Sequence, residues 1–208
     1  MLEEEESPFP RFASRGRTYV YVLPCRDEDI LKVGFSRDPL QRLTTLHSRF
    51  FRFFDLDRAL LIHTDRLRDA RRVERRFITT FAEARAPAPL VVPDAAAGYT
   101  EWYRGVFPEV VELAHSLCTT EGYALIPLKA WLRDLFRERA DLLYAWSAKM
   151  LEIIEYERFN PAPGFAPSGV ERALKNTLDA YAEIGLPVDN LVPVPVFRWH
   201  QNNVGGSA

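Results

Sequence analysis

Glu74 is the residue of this chain whose position most needs a chemical explanation. Leu67, Ala70, Val73, Phe77, Ile78 and Phe81 recur there at helical spacing, while Arg68, Arg71, Arg72, Arg75 and Arg76 lie elsewhere on the circumference. At about 100° per residue Glu74 falls among Ala70, Phe77, Ile78 and Phe81, near the middle of the apolar stripe. An ion buried there without a partner costs at least several kcal/mol. The carboxylate must therefore meet a cation, a metal ion or a solvent-filled cleft, and a salt bridge to a neighbouring arginine is the plainest of these. The five arginines, together with Arg37, suit phosphate, because a planar guanidinium matches phosphate oxygens two at a time. His47 lies on the apolar side of an earlier helix and reads as a packed core histidine, with a place beside the site as the alternative.

These side chains need elements to hold them. Thr18-Tyr-Val-Tyr-Val-Leu is aromatic and β-branched, Pro24 and Asp27 to Asp29 interrupt it, and Ile30 to Phe35 resumes the pattern, which is a hairpin signal. Asp38-Pro39-Leu40-Gln41 then supplies an N-cap acceptor, a proline at the first helical position and a glutamine at N3, so a helix starts at Pro39. Arg58 to His63 reads as an internal strand, Thr64 to Ala82 as the helix of Glu74, and Tyr99 to Tyr103 as a short edge strand. Past Gly122 the texture turns to long helices, Leu128 to about Tyr156 and about Ser168 to Ile184. Leu191 to Trp199 is proline-punctuated and expected to be extended.

Composition sets the bounds. The chain has 208 residues with 47% hydrophobic and 27% charged residues, and no apolar run approaches the roughly 18 that a membrane span needs. The acidic N-terminus, Met-Leu-Glu-Glu-Glu-Glu, is unlike a signal peptide, and two cysteines make no disulfide framework. A cytoplasmic protein without membrane contact is the expectation. The net charge of -2 conceals an asymmetry. Residues 17–104 carry 16 Lys or Arg against 12 Asp or Glu, whereas residues 105–208 carry 9 against 13. The first part is the one suited to nucleic acid, and the acidic second part is suited to protein contact. The expected organisation is a flexible leader over 1–16, a compact domain over 17–120, a helical module over 121–190 and a tail over 191–208.

Tyr19-Val20-Tyr21, Lys32-Val33-Gly34, Arg42 on the first helix and Glu74 on a later one resemble, in order and spacing, the GIY-YIG nuclease superfamily. The branch it is most similar to is a phage and bacterial one whose second motif begins with Lys and whose domain ends in Glu-Trp-aromatic, as Glu101-Trp102-Tyr103 does here, with phage or bacterial defence among its contexts. The resemblance covers about Tyr19 to Tyr103. It implies an α/β fold with a small antiparallel three-stranded sheet flanked by helices, here followed by an α-helical extension. It also implies a metal-dependent endonuclease acting on nucleic acid, DNA in the first instance. Glu74 would hold Mg²⁺ or Mn²⁺, with Glu101 or His47 behind it. Tyr21 would orient or deprotonate water, Arg42 would bind the phosphate, and Tyr19 and Lys32 would complete the site. Lys32 stands where a tyrosine is usual and offers an ammonium in place of a phenol. The alternative is a catalytically inactive protein of the same scaffold that binds or assembles through its helical module, as a homodimer or with a protein partner.

Overall fold

The computed structural model describes residues 17–93, 95, 101–160 and 169–203. The leader expected over 1–16 and the last residues of the tail, 204–208, lie outside them. Strands β1 (Thr18–Pro24) and β2 (Ile30–Ser36) form the hairpin, closed by a bond from Cys25 N–H to the Ile30 carbonyl at 2.8 Å. Helix α1 (Pro39–Leu46) follows, with the Asp38 side chain accepting from Gln41 N–H as the cap signal requires. A single turn, α2 (Phe50–Phe53), leads to β3 (Leu60–Thr64) and then to α3 (Leu67–Thr80), the helix of Glu74. Strand β4 (Trp102–Arg104), α4 (Phe107–Glu121) and β5 (Ala124–Pro127) come next. Four helices complete the described chain: α5 (Leu128–Glu138), α6 (Ala140–Phe159), α7 (Gly169–Glu183) and α8 (Val194–Asn203).

The sheet is antiparallel throughout, in the order β4-β2-β1-β3-β5, so it has five strands and not three. The strand absent from the sequence reading is β5, four residues between two helices and ended by Pro127, too short to show a period of two. It pairs with β3, which makes β3 the internal strand that its two apolar faces predict. The apolar run expected as one helix from Leu128 is two, broken at Arg139. The segment over 191–199 is also helical from Val194, not extended. Pro195 sits in the first turn of α8, where a missing N–H costs nothing.

Alternation along β1 divides the molecule into layers. Tyr19, Tyr21 and Leu23 point into a core with Leu43 and Leu46 of α1, the phenylalanines Phe50, Phe51 and Phe54, and buried residues of α5 to α8. Val20 and Val22 point the other way, onto Ala70, Val73 and Phe77 of α3 and Val110 and Ala114 of α4. The helical segment is tied to the first layer by charge as well. Asp179 of α7, 7% exposed, receives Arg49 at 3.2 Å, Lys175 at 3.5 Å and His200 Nε2 at 2.8 Å, while Arg26 reaches Glu183 at 2.7 Å. Among the described residues no helix is long and apolar enough to cross a membrane.

Candidate functional site

Tyr21 and Gly34 face each other across the β1–β2 pair. The Tyr21 ring lies over the glycine: a Cβ there would stand 2.7 Å from Cζ and 2.9 Å from Cε2, and nearer still to the hydroxyl. The position is glycine because the backbone is where the phenol rests. From α1, Arg42 Nε donates to the Tyr21 hydroxyl at 3.1 Å, four residues after the Asp38 cap that fixes the start of that helix. Burial raises the pKa of Tyr21, and the Arg42 guanidinium opposes that rise. The phenol is therefore protonated at neutral pH. Since its oxygen accepts from Arg42, its own proton is available to a further acceptor.

Lys32, two residues before Gly34 on β2, is fully buried. Its Nζ lies 3.0 Å from Glu101 Oε2 and 4.9 Å from the centre of the Trp102 ring, its neighbour across the β2–β4 pair. Burial lowers its pKa and Glu101 opposes this, so the ammonium depends on the carboxylate beside it.

Glu74 is half-buried on α3 and forms no ion pair among the described residues. Its pKa is pushed up to about 7, first by desolvation and then by the negative charge of Glu101, with Lys32 and Arg71 opposing. Its charge acts on groups of both sheet faces, Tyr21 and Lys32 on one and Tyr103 on the other. Glu74 and Glu101 are thus two carboxylates in one electrostatic neighbourhood, and the charge of Glu101 raises the cost of ionising Glu74. No cluster of three or more His, Cys, Asp or Glu side chains able to hold a metal occurs among the described residues.

The other residues expected at the site separate into three places. Tyr19 stacks on His63 at 5.2 Å and meets Trp131 at 5.7 Å, forming with Arg37 part of the lining of a groove beside α5. His47 stacks on Phe53 at 4.7 Å and accepts from Arg49 N–H through Nδ1, the packed histidine of the sequence reading, with its pKa lowered by burial. On α3, Arg72 is committed to Glu121 at 2.6 Å and to the Tyr123 hydroxyl at 2.7 Å, and Arg68 to Asp69 at 4.0 Å. Arg71, Arg75 and Arg76 are exposed and make no ion pair within 4.0 Å among the described residues. The groove residues Arg17, Trp131 and Arg139 escaped the sequence reading, since residues more than a hundred positions apart leave no spacing signal.

No curated protein and no solved structure matches the chain. The family model that matches is that of the T5orf172 domain, and no GIY-YIG family model does, which overturns the placement of residues 19–103 in that superfamily. Roles implied by that resemblance therefore rest on the geometry above alone. The matched span begins at the first residue of β1 and ends inside α4, leaving β5 and the four helices after it outside. Over residues 18–118, just under half its length, the chain is similar to the T5orf172 domain, a nuclease-like and nucleic-acid-associated family.

Proposed function

We propose that the chain hydrolyses phosphodiester bonds in nucleic acid, DNA in the first instance, at a site built from Tyr21, Arg42 and Glu74. The observation that carries this is the Tyr21–Arg42 pair, a buried phenol clamped by a guanidinium, on which the charge of Glu74, a carboxylate without an ion-pair partner among the described residues, also acts. Glu74, with Glu101 in the same electrostatic neighbourhood, would hold a divalent ion, Mg²⁺ or Mn²⁺. Such an ion, when bound, lowers the pKa of water and neutralises charge on the phosphate. Arg42 receives the non-bridging oxygens as charge builds on them, and Tyr21 donates its phenolic proton in a hydrogen bond to one of them. Lys32 adds positive charge from beneath without reaching the surface. Arg71, Arg75 and Arg76 track neighbouring phosphates, which gives affinity that falls with salt and carries little sequence information.

The test is incubation of the purified chain with plasmid DNA in Mg²⁺ or Mn²⁺, with EDTA and Glu74→Ala as controls. Cleavage that needs the metal and is lost in the variant supports the proposal, and cleavage that persists in both controls refutes it. A second reading, nucleic-acid binding without turnover, is favoured by Lys32. Its ammonium is buried and paired to Glu101, so it cannot approach a substrate. DNA binding by both proteins with no cleavage by either would select that reading.

A further inference from the structure

The acidic composition of the segment after Gly122 argues against phosphate contact there, yet α5 and the start of α6 form one wall of a groove whose cations are uncommitted. The groove is about 440 Å³, inside the roughly 300–1,000 Å³ typical of ligand clefts. Its apolar lining includes Tyr19, Trp131, Leu135 and Leu142, with Trp131 only partly buried and Leu142 60% exposed. Around it stand Arg17, Arg37 and Arg139, none of which makes an ion pair within 4.0 Å among the described residues. Two of its three carboxylates are engaged, Asp134 with Arg137 at 3.2 Å and Asp38 as the cap of α1, which leaves Glu138 alone against three guanidiniums.

An aromatic and aliphatic lining with guanidiniums around it is complementary to a base with its phosphate, since every base offers a face for stacking and arginine binds phosphate oxygens in pairs. The groove also adjoins the candidate site. Tyr19 is two residues before Tyr21 on the same face of β1, roughly 7 Å along the strand, and Pro39 lies just under one turn before Arg42 on α1. A base paired in a duplex cannot enter a cleft of this kind without leaving its stack.

We infer that this groove seats one unpaired nucleotide of the substrate strand next to the phosphate held by Arg42, its base against Trp131 and its phosphate among Arg17, Arg37 and Arg139. The inference rests on the nucleic-acid reading above and narrows the substrate to a strand carrying an unpaired stretch. It also gives the helical segment a share in substrate binding.

The experiment is fluorescence anisotropy of the full chain, in EDTA to prevent cleavage, against a paired duplex and the same duplex with a short unpaired stretch, each as DNA and as RNA. The wild type is expected to bind the unpaired form about tenfold more tightly, and Trp131→Ala to abolish that preference while changing duplex affinity little. Because Trp131 also packs on Tyr19, Arg139→Ala provides an independent arm. It should weaken binding of the unpaired form and reduce the slope of log K against log salt by about 0.7 to 0.9. Equal affinity for the two forms, or indifference of the unpaired form to both substitutions, overturns the groove while leaving the site reading standing. Failure of the wild type to bind any of the four nucleic acids overturns both. Whichever of the DNA and RNA arms shows the preference identifies the sugar.

Discussion

Gly34 and Glu74 make the sharpest claims at the scale of single residues. Gly34→Ala would drive a methyl group into the Tyr21 ring, which is 3% exposed and cannot swing away. Overpacking of this kind costs about 1–3 kcal/mol. The variant should lose that much stability in urea denaturation and lose the Tyr21–Arg42 bond with it. Glu74 makes a prediction of opposite sign. Its pKa is near 7 in the folded chain against 4.5 for a free carboxyl, so the folded state holds the extra proton between these values. Without metal, Glu74 costs nothing below pH 4.5, stability falls as pH rises from 4.5 to about 7, and the cost is complete above that. Glu74→Gln should therefore raise the melting temperature at pH 8 and leave it unchanged at pH 4. The gain should be about 2–4 °C, the size of roughly 1 kcal/mol once solvent screening is allowed for. Helical phase made Glu74 conspicuous in the sequence, because a carboxylate in an apolar stripe needs a reason. Phase did not reveal that the charge acting most strongly on Glu74 is a second carboxylate, since Glu101 lies 27 positions away in the chain.

Among the elements, α1 and the hairpin were legible because their signals are local: a capping aspartate, a proline at N1, two β-branched runs and a turn. Strand β5 was not, since its place is fixed by the unpaired edge of β3 and not by its own four residues. The same holds for the attachment of α7 and α8, which turns on one aspartate. Removing a buried carboxylate from its cations leaves them unpaired, at about 3–5 kcal/mol when the site is fully enclosed. Arg49 and Lys175 keep some exposure, at 26% and 14% of their side chains, so Asp179→Ala should cost toward the lower end of that range in urea denaturation. Hydrogen exchange should show α7 and α8 losing protection first, and uniform loss across the chain would contradict this assignment.

At the scale of the whole molecule, the sheet crosses the boundary drawn at residue 120. β5 closes the edge of β3, and Leu128, Leu132 and Phe136 of α5 enter the core that holds Tyr19 and Tyr21. A chain cut after residue 120 should expose that edge and aggregate, whereas the full chain should remain monodisperse in size-exclusion chromatography. Equal behaviour of the two would show that the first part folds without its last strand. The charge asymmetry read from composition places arginines on α3 and a surplus of acidic residues in the later helices, but the groove residues show that composition averages over faces. The three scales meet in the proposed role of Arg42, which, held by its bond to Tyr21, binds the phosphate as charge builds on it. Single-turnover cleavage of a labelled oligonucleotide by Arg42→Ala, with binding measured separately, tests it most directly. The rate should fall by about 10²- to 10³-fold with affinity altered only a few-fold, and an unchanged rate would contradict that role of Arg42.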